Sequence, residues 1–419
     1  MKIRRVLCFI LSLVLMFSVI TACASSSKES KEESKEESKE ESKEESKEGA
    51  KEVDDSKEDA KKDDSDKEVA ESQVPKIGII IWGTTDALGR NSTMMVEKLV
   101  KQAGGEVVID TSATSPETQI QAAENLISAG CNGILIVNYS DQMLPKLSQI
   151  CEENEVYWGL TWRRIINDEI REEVIKSKYF VGYTAEDEIE ISERLARSLA
   201  ESGAKEVAVV SSNVGDTTHD MRNEGFDNIC AETDMERVTE YRGGRSAPEV
   251  MEAVEKFLTG FPNLDAIFMT GGTNSQLEGA LAALDKHDKR GEIPIAVIDF
   301  IDADLMKEYL EDGTIFNIAG GHYVDPIYTA SLVVNAIEGN PLSDVHEEIT
   351  LEFIDFSGVE DAIDYYKYVE NDEDGIYAYT EEELGQMIKS INPEFTIEEL
   401  KQIALDYSIE DVMERHGVK

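Results

Sequence analysis

Arginine, tryptophan and aspartate recur where apolar runs of this 419-residue chain give out. The stretch GLTWRR closes one such run on Trp162, Arg163 and Arg164. Comparable polar and aromatic clusters are Trp82 to Asp86, Asn138 to Asp141, Asn213 to Arg222, Gly271 to Asn274, Asp299 to Asp302 and Gly320 to Tyr323. A guanidinium is a rigid fork of donors that suits adjacent hydroxyls or a carboxylate. A carboxylate accepts hydroxyl protons, and an aromatic face covers the C–H side of a ring. These are groups for holding a small polar molecule. For turning one over there is no support: no Gly-x-Ser-x-Gly, no phosphate loop and no metal-spaced pair among five histidines. No cofactor or metal is expected.

The elements that position these clusters follow from hydrophobic periodicity. KIGIIIW, from Lys76, is a continuous apolar run, as in a strand covered on both faces. Strands are expected likewise at EVVID, GILIVN, VYWGLT, YFVGYT, EVAVVSS, RVTEY, LDAIFMT, IPIAVIDF, TIFNIAG and EEITLEFI. Between them lie helical spacings, among them 186–203, 218–232, 247–260, 274–288, 303–312 and 325–338. Residues 164–177 read as a charged connection. Ser115 before Pro116 matches an N-cap and first-turn proline. Such alternation predicts an α/β fold with doubly wound parallel sheets. A dozen strands are too many for one compact sheet, so two lobes are expected. In that topology ligands sit at the carboxyl ends of strands, where the polar clusters fall.

Charge and composition limit the partners. The chain has 87 acidic against 41 basic residues, a formal net charge of −46, which argues against nucleic acid and anionic lipid surfaces. Its first 22 residues place Lys2, Arg4 and Arg5 before an apolar stretch, the plan of a secretory signal. VITAC resembles the lipobox of bacterial lipoproteins, which makes Cys23 the acylated anchor; several acyl chains on one residue hold stably. Residues 23–74 follow as a tether built on SKEE repeats. Period four sets like charges at i, i+4, and little apolar surface repays ordering, so a solvated chain is expected. About 50 such residues span roughly 40 Å. Cys131, Cys151 and Cys230 have no metal-like spacing and are expected as buried free thiols.

From about residue 76 to 356 the chain resembles the type I periplasmic solute-binding proteins, close to the ribose- and galactose-binding group. IGIIIWGTTDALGRNSTMMVEKLVKQAGGEVVIDTS fits the opening strand, loop, helix and strand of that family, and SPETQIQAAENLISAGCNGILIVNYS its second unit. GDTTHDMRNEGF matches its arginine-bearing loop, and FPNLDAIFMTGG and LEDGTIFNIAG its later strands. The resemblance implies two lobes joined by three crossing segments that close over a small ligand. Crossings are expected near Tyr183 to Glu186, Gly320 to His322 and Leu342 to Val345. The N-terminal lobe is then 75–184 plus 322–342, and the C-terminal lobe 185–321 plus 343–356. Together with a lipid anchor, this resembles the monomeric receptor of an ABC importer, handing a sugar or polyol to a permease and its ATPase. A sensor for a membrane kinase or chemoreceptor, and a receptor for a non-sugar polar solute, are the alternatives.

The resemblance also implies site residues. Asp86 matches a polar residue of the family's first loop. The family's aromatics would fall on Leu88 and Gly89, where none stands, and Trp82 is a substitute ring. Its aspartate–arginine pair falls on Trp162 and Arg163, its second arginine on Arg222. A later aspartate lands at Asp299, Ile301 or Asp302, and a hinge glutamine near Gly321 or His322. Plainer roles compete: Arg163 as a salt bridge to 168–173, Trp162 as inter-lobe packing, Arg222 paired with Glu224, His322 as a hinge spacer, Arg164 at the surface.

Beyond the resemblance, 357–419 forms an acidic helical extension with capping boxes at Thr396/Glu399 and, more weakly, Ser408/Asp411. It is expected to pack on the second lobe, with partner docking as the alternative. Residues 370–381 have the acidic spacing of a calcium loop, but Glu370 stands at its first position; an acidic turn before a helix capped by Thr380 with Glu383 is the expectation.

Overall fold

The computed structural model describes residues 73–418, apart from 245, 272–273, 300–302, 321, 357 and 371–377. The signal segment, Cys23, the tether, Asp302 and most of the calcium-like stretch lie outside the described residues.

The first half of the chain alternates as its apolar runs predict: β1 (Lys76–Ile80), α1 (Ala87–Gln102), β2 (Glu106–Asp110), α2 (Pro116–Ser128), β3 (Gly133–Ile136), α3 (Leu144–Glu153), β4 (Tyr157–Thr161), α4 (Asp168–Val174) and β5 (Phe180–Glu186). The second half continues with α5 (Glu188–Ser202), β6 (Glu206–Ser211), α6 (Thr217–Glu232), β7 (Glu236–Arg242), α7 (Ala247–Gly260), β8 (Ala266–Met269), α8 (Asn274–Lys286), β9 (Ile295–Ile298), α9 (Ala303–Glu311) and β10 (Ile315–Gly320). Then follow α10 (Pro326–Ile337), β11 (Glu347–Leu351) and β12 (Ile354–Phe356). Ser115 caps α2 by accepting from the Thr118 amide, with Pro116 in the first turn. The charged connection holds α4, which buries Ile170 and Val174 and ties Arg171 to Glu348 of the strand that follows α10.

Two six-stranded sheets result, ordered β2-β1-β3-β4-β5-β11 and β7-β6-β8-β9-β10-β12. All neighbours are parallel except β12, which runs antiparallel to β10. Strands β3, β8 and β9 are buried throughout, since helices cover both faces. Strand order reverses beside β1 in one sheet and beside β6 in the other, so the loops after β1, β3, β6 and β8 converge.

The chain passes between sheets three times. It leaves the first sheet after Glu186, returns between Gly320 and α10, and leaves again at Glu352–Phe353. The third passage corrects the expectation of 342–345, and only β12 of the span 343–356 joins the second sheet. EEITLEFI, expected as one strand, is two, because β11 pairs with β5 and β12 with β10.

The extension corrects a second expectation. It continues as α11 (Val359–Asp364), a π-helical turn over 365–370, α12 (Glu381–Gln386), α13 (Ile397–Asp406) and α14 (Ile409–Arg415). Its first part, α11 and the π-turn, packs on α9 of the second lobe, and Tyr365 stacks on Phe356 of β12. Beyond it, α12 packs on α1 and α13 on β11 of the first lobe, while α14 packs back on the π-turn. Ser331 Oγ and Asn335 Nδ2 of α10 donate to the Met387 carbonyl at 2.7 and 3.0 Å. The Tyr328 and Tyr379 hydroxyls meet at 2.8 Å. The reason is visible in α10: all twelve of its residues are buried, sheet on one side and extension on the other. The boxes at Thr380/Glu383 and Thr396/Glu399 both form, and Ser408 caps α14.

Candidate functional site

At the carboxyl ends of the first sheet an aromatic pair forms. Trp82, just past β1, and Trp162, just past β4, lie with ring centroids 5.3 Å apart and planes at 50°. Asp86 fixes the first ring. It caps α1 with one oxygen, accepting from the Gly89 amide at 2.8 Å, and accepts from Trp82 Nε1 with the other at 2.9 Å. Gly89 has a reason to lack a ring: a Cβ there would lie 2.1 Å from the Gly83 carbonyl. Trp162 is buried and sits at φ 54°, a left-handed conformation that costs a bulky residue energy.

Arg163 is half-buried and donates to the Trp162 carbonyl at 2.9 Å. It makes no ion pair among the described residues, so the expected alternative, a salt bridge to 168–173, is not formed. Arg164 departs from its surface expectation. It is half-buried and donates from Nη2 to the Glu186 carbonyl at 2.5 Å, at the first crossing. Asp141 joins the neighbouring loops by accepting from the Ile166 and Asn167 amides.

The second sheet carries a denser group. Arg222 on α6 is buried and donates from Nε to Glu188 at 2.6 Å, and from Nη1 to Asp299 at 2.9 Å and the Thr270 carbonyl at 2.7 Å. Its partners are thus Glu188 and Asp299, not Glu224. The guanidinium also lies over the Phe353 ring, 5.5 Å from its centroid, at the third crossing. Burial pulls the arginine down, but Asp299 and Glu188 more than offset this, so it stays charged. Burial pushes Glu188 up to about 7, against the pull of Arg222. Asp299, at φ 80°, joins Trp162 as a second left-handed non-glycine residue at a strand end. His219 is buried beside them, its Nδ1 2.9 Å from Thr270 Oγ1. A Cβ on Gly271 would lie 2.5 Å from His219 Cε1 and 3.0 Å from Asp299 Oδ2, so both side chains converge on that glycine.

The chain from residue 77 to 341 matches the model of the periplasmic binding protein domain. It belongs to the periplasmic binding protein family. The family is one of solute-binding proteins, not an enzyme class. No curated protein matches the chain. Among solved structures, it is similar to an ABC transporter periplasmic solute-binding protein from Actinobacillus succinogenes 130z with bound D-allose. That likeness has TM-score 0.61 and 17% identity, and covers 70% of this chain and 100% of the other. A solute-binding protein from Bacillus halodurans C-125 with bound myo-inositol gives TM-score 0.59 and 18% identity, covering 71% and 99%. A periplasmic sugar-binding protein from Pseudomonas fluorescens gives 0.62 and 12%, covering 81% and 99%. At these identities the likeness is one of fold.

Within this binding protein the structure brings Trp82, Asp86, Trp162 and Arg163 together at one sheet, and Arg222 with Asp299 at the other. Asp302 lies outside the described residues; His322 opens a short 3-10 turn after β10. The sequence pattern marks Glu186 only as the end of an expected crossing and does not single out Glu188, Asp325 or His219. A usable clue existed for Asp325, an acid directly before the first-turn proline of a helix that is apolar on every side.

Proposed function

We propose that this protein is an extracytoplasmic, lipid-anchored receptor that captures a small polar solute, a sugar or polyol, and delivers it to an ABC importer. The observation that carries the reading is the pairing of an aromatic wall after β1 and β4 with a fixed guanidinium–carboxylate group after β6, β8 and β9. Rings cover the apolar face of a pyranose or cyclitol, while Arg163, Arg222 and Asp299 serve its hydroxyls. Asp302 and His322 complete the proposed set. Lobes hinged at the crossings close when the ligand gains contacts from both. The solutes bound in the Actinobacillus and Bacillus relatives support the sugar and polyol class. The signal plan and Cys23 support the anchor.

A thermal-shift screen against monosaccharides, cyclitols, nucleosides and amino acids tests the reading. A sugar or cyclitol is expected to raise the melting temperature in a dose-dependent way. A hit confined to an acidic or other non-sugar solute would remove the sugar assignment and leave the receptor. One observation favours that second reading: Trp162 stands where the sugar-binding relatives are expected to place an acid.

A further inference from the structure

The C-terminal extension grips both lobes at once. On the second lobe, α11 and the π-turn pack on α9, and the Tyr365 and Phe356 rings stack with centroids 5.7 Å apart. On the first lobe, α12 packs on α1 and α13 on β11. There the Lys389 amide donates to Asn335 Oδ1 of α10 at 2.7 Å, beside the bonds that Ser331 and Asn335 give to Met387. Lys401 of α13 pairs with Glu347 of β11 at 2.5 Å. A third hold is on the second crossing itself, where the Tyr323 hydroxyl donates to the Val369 carbonyl.

These grips belong to one folded body. Helix α14 packs back on the π-turn, and the Tyr379 and Tyr407 rings stack with centroids 6.0 Å apart. Arg415 of α14 closes the body on itself. It donates from Nη1 to Glu383 at 2.8 Å and from Nη2 to the Ala378 carbonyl at 2.7 Å, with its guanidinium 4.4 Å from the Tyr379 ring centroid. Ala362, Tyr365 and Val369 are fully buried in the part that packs on the second lobe, as are Leu384 and Leu400 in the part on the first. The match to the family ends at residue 341, so this body is an addition to what the family shares.

Two lobes joined by crossing segments alone turn about those segments, and what opposes the turn is packing that must be broken. We propose that the extension is a strap across the hinge, which limits how far the two lobes open. Turning the second lobe away from the first moves α9 relative to α1 and α10, and one rigid body cannot follow both. Buried aromatic and aliphatic side chains are then uncovered at one grip or the other, at a cost that grows with the apolar area exposed. The lobes therefore stay near one separation before any solute arrives, and less of the binding free energy goes into ordering them. This holds for any solute, because it needs only the two lobes and their crossings.

The test is double electron–electron resonance on the full protein with no solute added. Spin labels carried on a keto amino acid at Glu124 of α2 and Glu278 of α8, both exposed, report the separation of the lobes and leave the cysteines alone. The otherwise unaltered chain is expected to give one narrow distance distribution. Ala362→Glu puts a charge into the buried contact of α11 with α9 and should broaden the distribution about twofold, as open states become populated. Leu384→Asp breaks the grip of α12 on α1 and should broaden it similarly, since a strap acts only when both ends hold. Tyr323→Phe removes a single hydroxyl and should give an intermediate width. Broadening from one end only overturns the strap and leaves local packing in its place. So does an unaltered chain as broad as both undocked variants, or an Ala362→Glu protein of unchanged circular dichroism that stays narrow. Where the charged variants do not fold, Tyr323→Phe decides, and a distribution unchanged by it overturns the proposal.

Discussion

On the first lobe, Trp82 and Trp162 rest ring against ring, and among the described residues Arg163 bonds only to the Trp162 carbonyl. On the second, Arg222 is held by two carboxylates and a carbonyl and is almost out of reach of water. The first arrangement leaves its cation adjustable; the second fixes its cation before any solute arrives. Preorganised charge costs little reorganisation on binding, whereas a loosely held arginine must be ordered by the ligand itself. The contrast therefore separates a residue whose role is mostly recognition from one that is both recognition and structure. Both groups touch the first crossing, through Arg164 on the Glu186 carbonyl and Glu188 on Arg222.

The largest effect should come from breaking the second group. Arg222→Met leaves Glu188 and Asp299 without their counter-charge and should cost about 3–5 kcal/mol of stability in urea unfolding. A loss below about 1 kcal/mol would mean that the network is not structural. Next is Trp162→Ala, which should cost about 3 kcal/mol by deleting a buried ring. Trp162→Gly should be no less stable than the alanine variant, because glycine alone relaxes the φ of 54°. If alanine is clearly the better, the backbone at 162 stores no strain. Arg163→Ala should shift stability by no more than about 0.5 kcal/mol, yet weaken solute binding by about 2 kcal/mol in calorimetry. An unchanged dissociation constant takes Arg163 out of the site. Smallest is Asp86→Ala, about 1 kcal/mol of stability from the lost cap of α1. Freed Trp82 should then show altered fluorescence, and an unchanged spectrum would mean that packing alone holds the ring.

Most of the fold was legible because parallel strands covered on both faces are written as unbroken apolar runs, as in GILI and AIFM. Legibility failed where local pattern and tertiary partner part company. EEITLEFI alternates from Glu348 to Phe353 and changes phase only at the pair Phe353–Ile354, too slight a break to announce that Glu352 and Phe353 cross between sheets. Helix α4 is hidden in the sequence because one i, i+4 interval, Ile170 to Val174, is too short to establish a period. At the site, tryptophan and arginine were visible because they are rare here or carry the minority charge. Glu188 and Asp325 were not, since a buried acid looks like any other among 87 acidic residues. Glu188 in particular has the look of a first-turn residue favoured by the helix dipole. The place of the extension needed the observation that α10 has no solvent face.

That buried helix also sets an order of events during synthesis. The first lobe draws β1 to β5 from the start of the body, α10 and β11 from far downstream, and its outer cover from residues near the end of the chain. The contacts of α10, β11 and the extension with that lobe are therefore long-range, the kind that close late and slowly. Until residues such as Tyr379 and Met387 have emerged, Tyr328 and Asn335 lack the partners they have in the finished molecule. A nascent chain stays open at its N-terminal lobe while the second lobe, nearly continuous from α5 to β10, is free to form first.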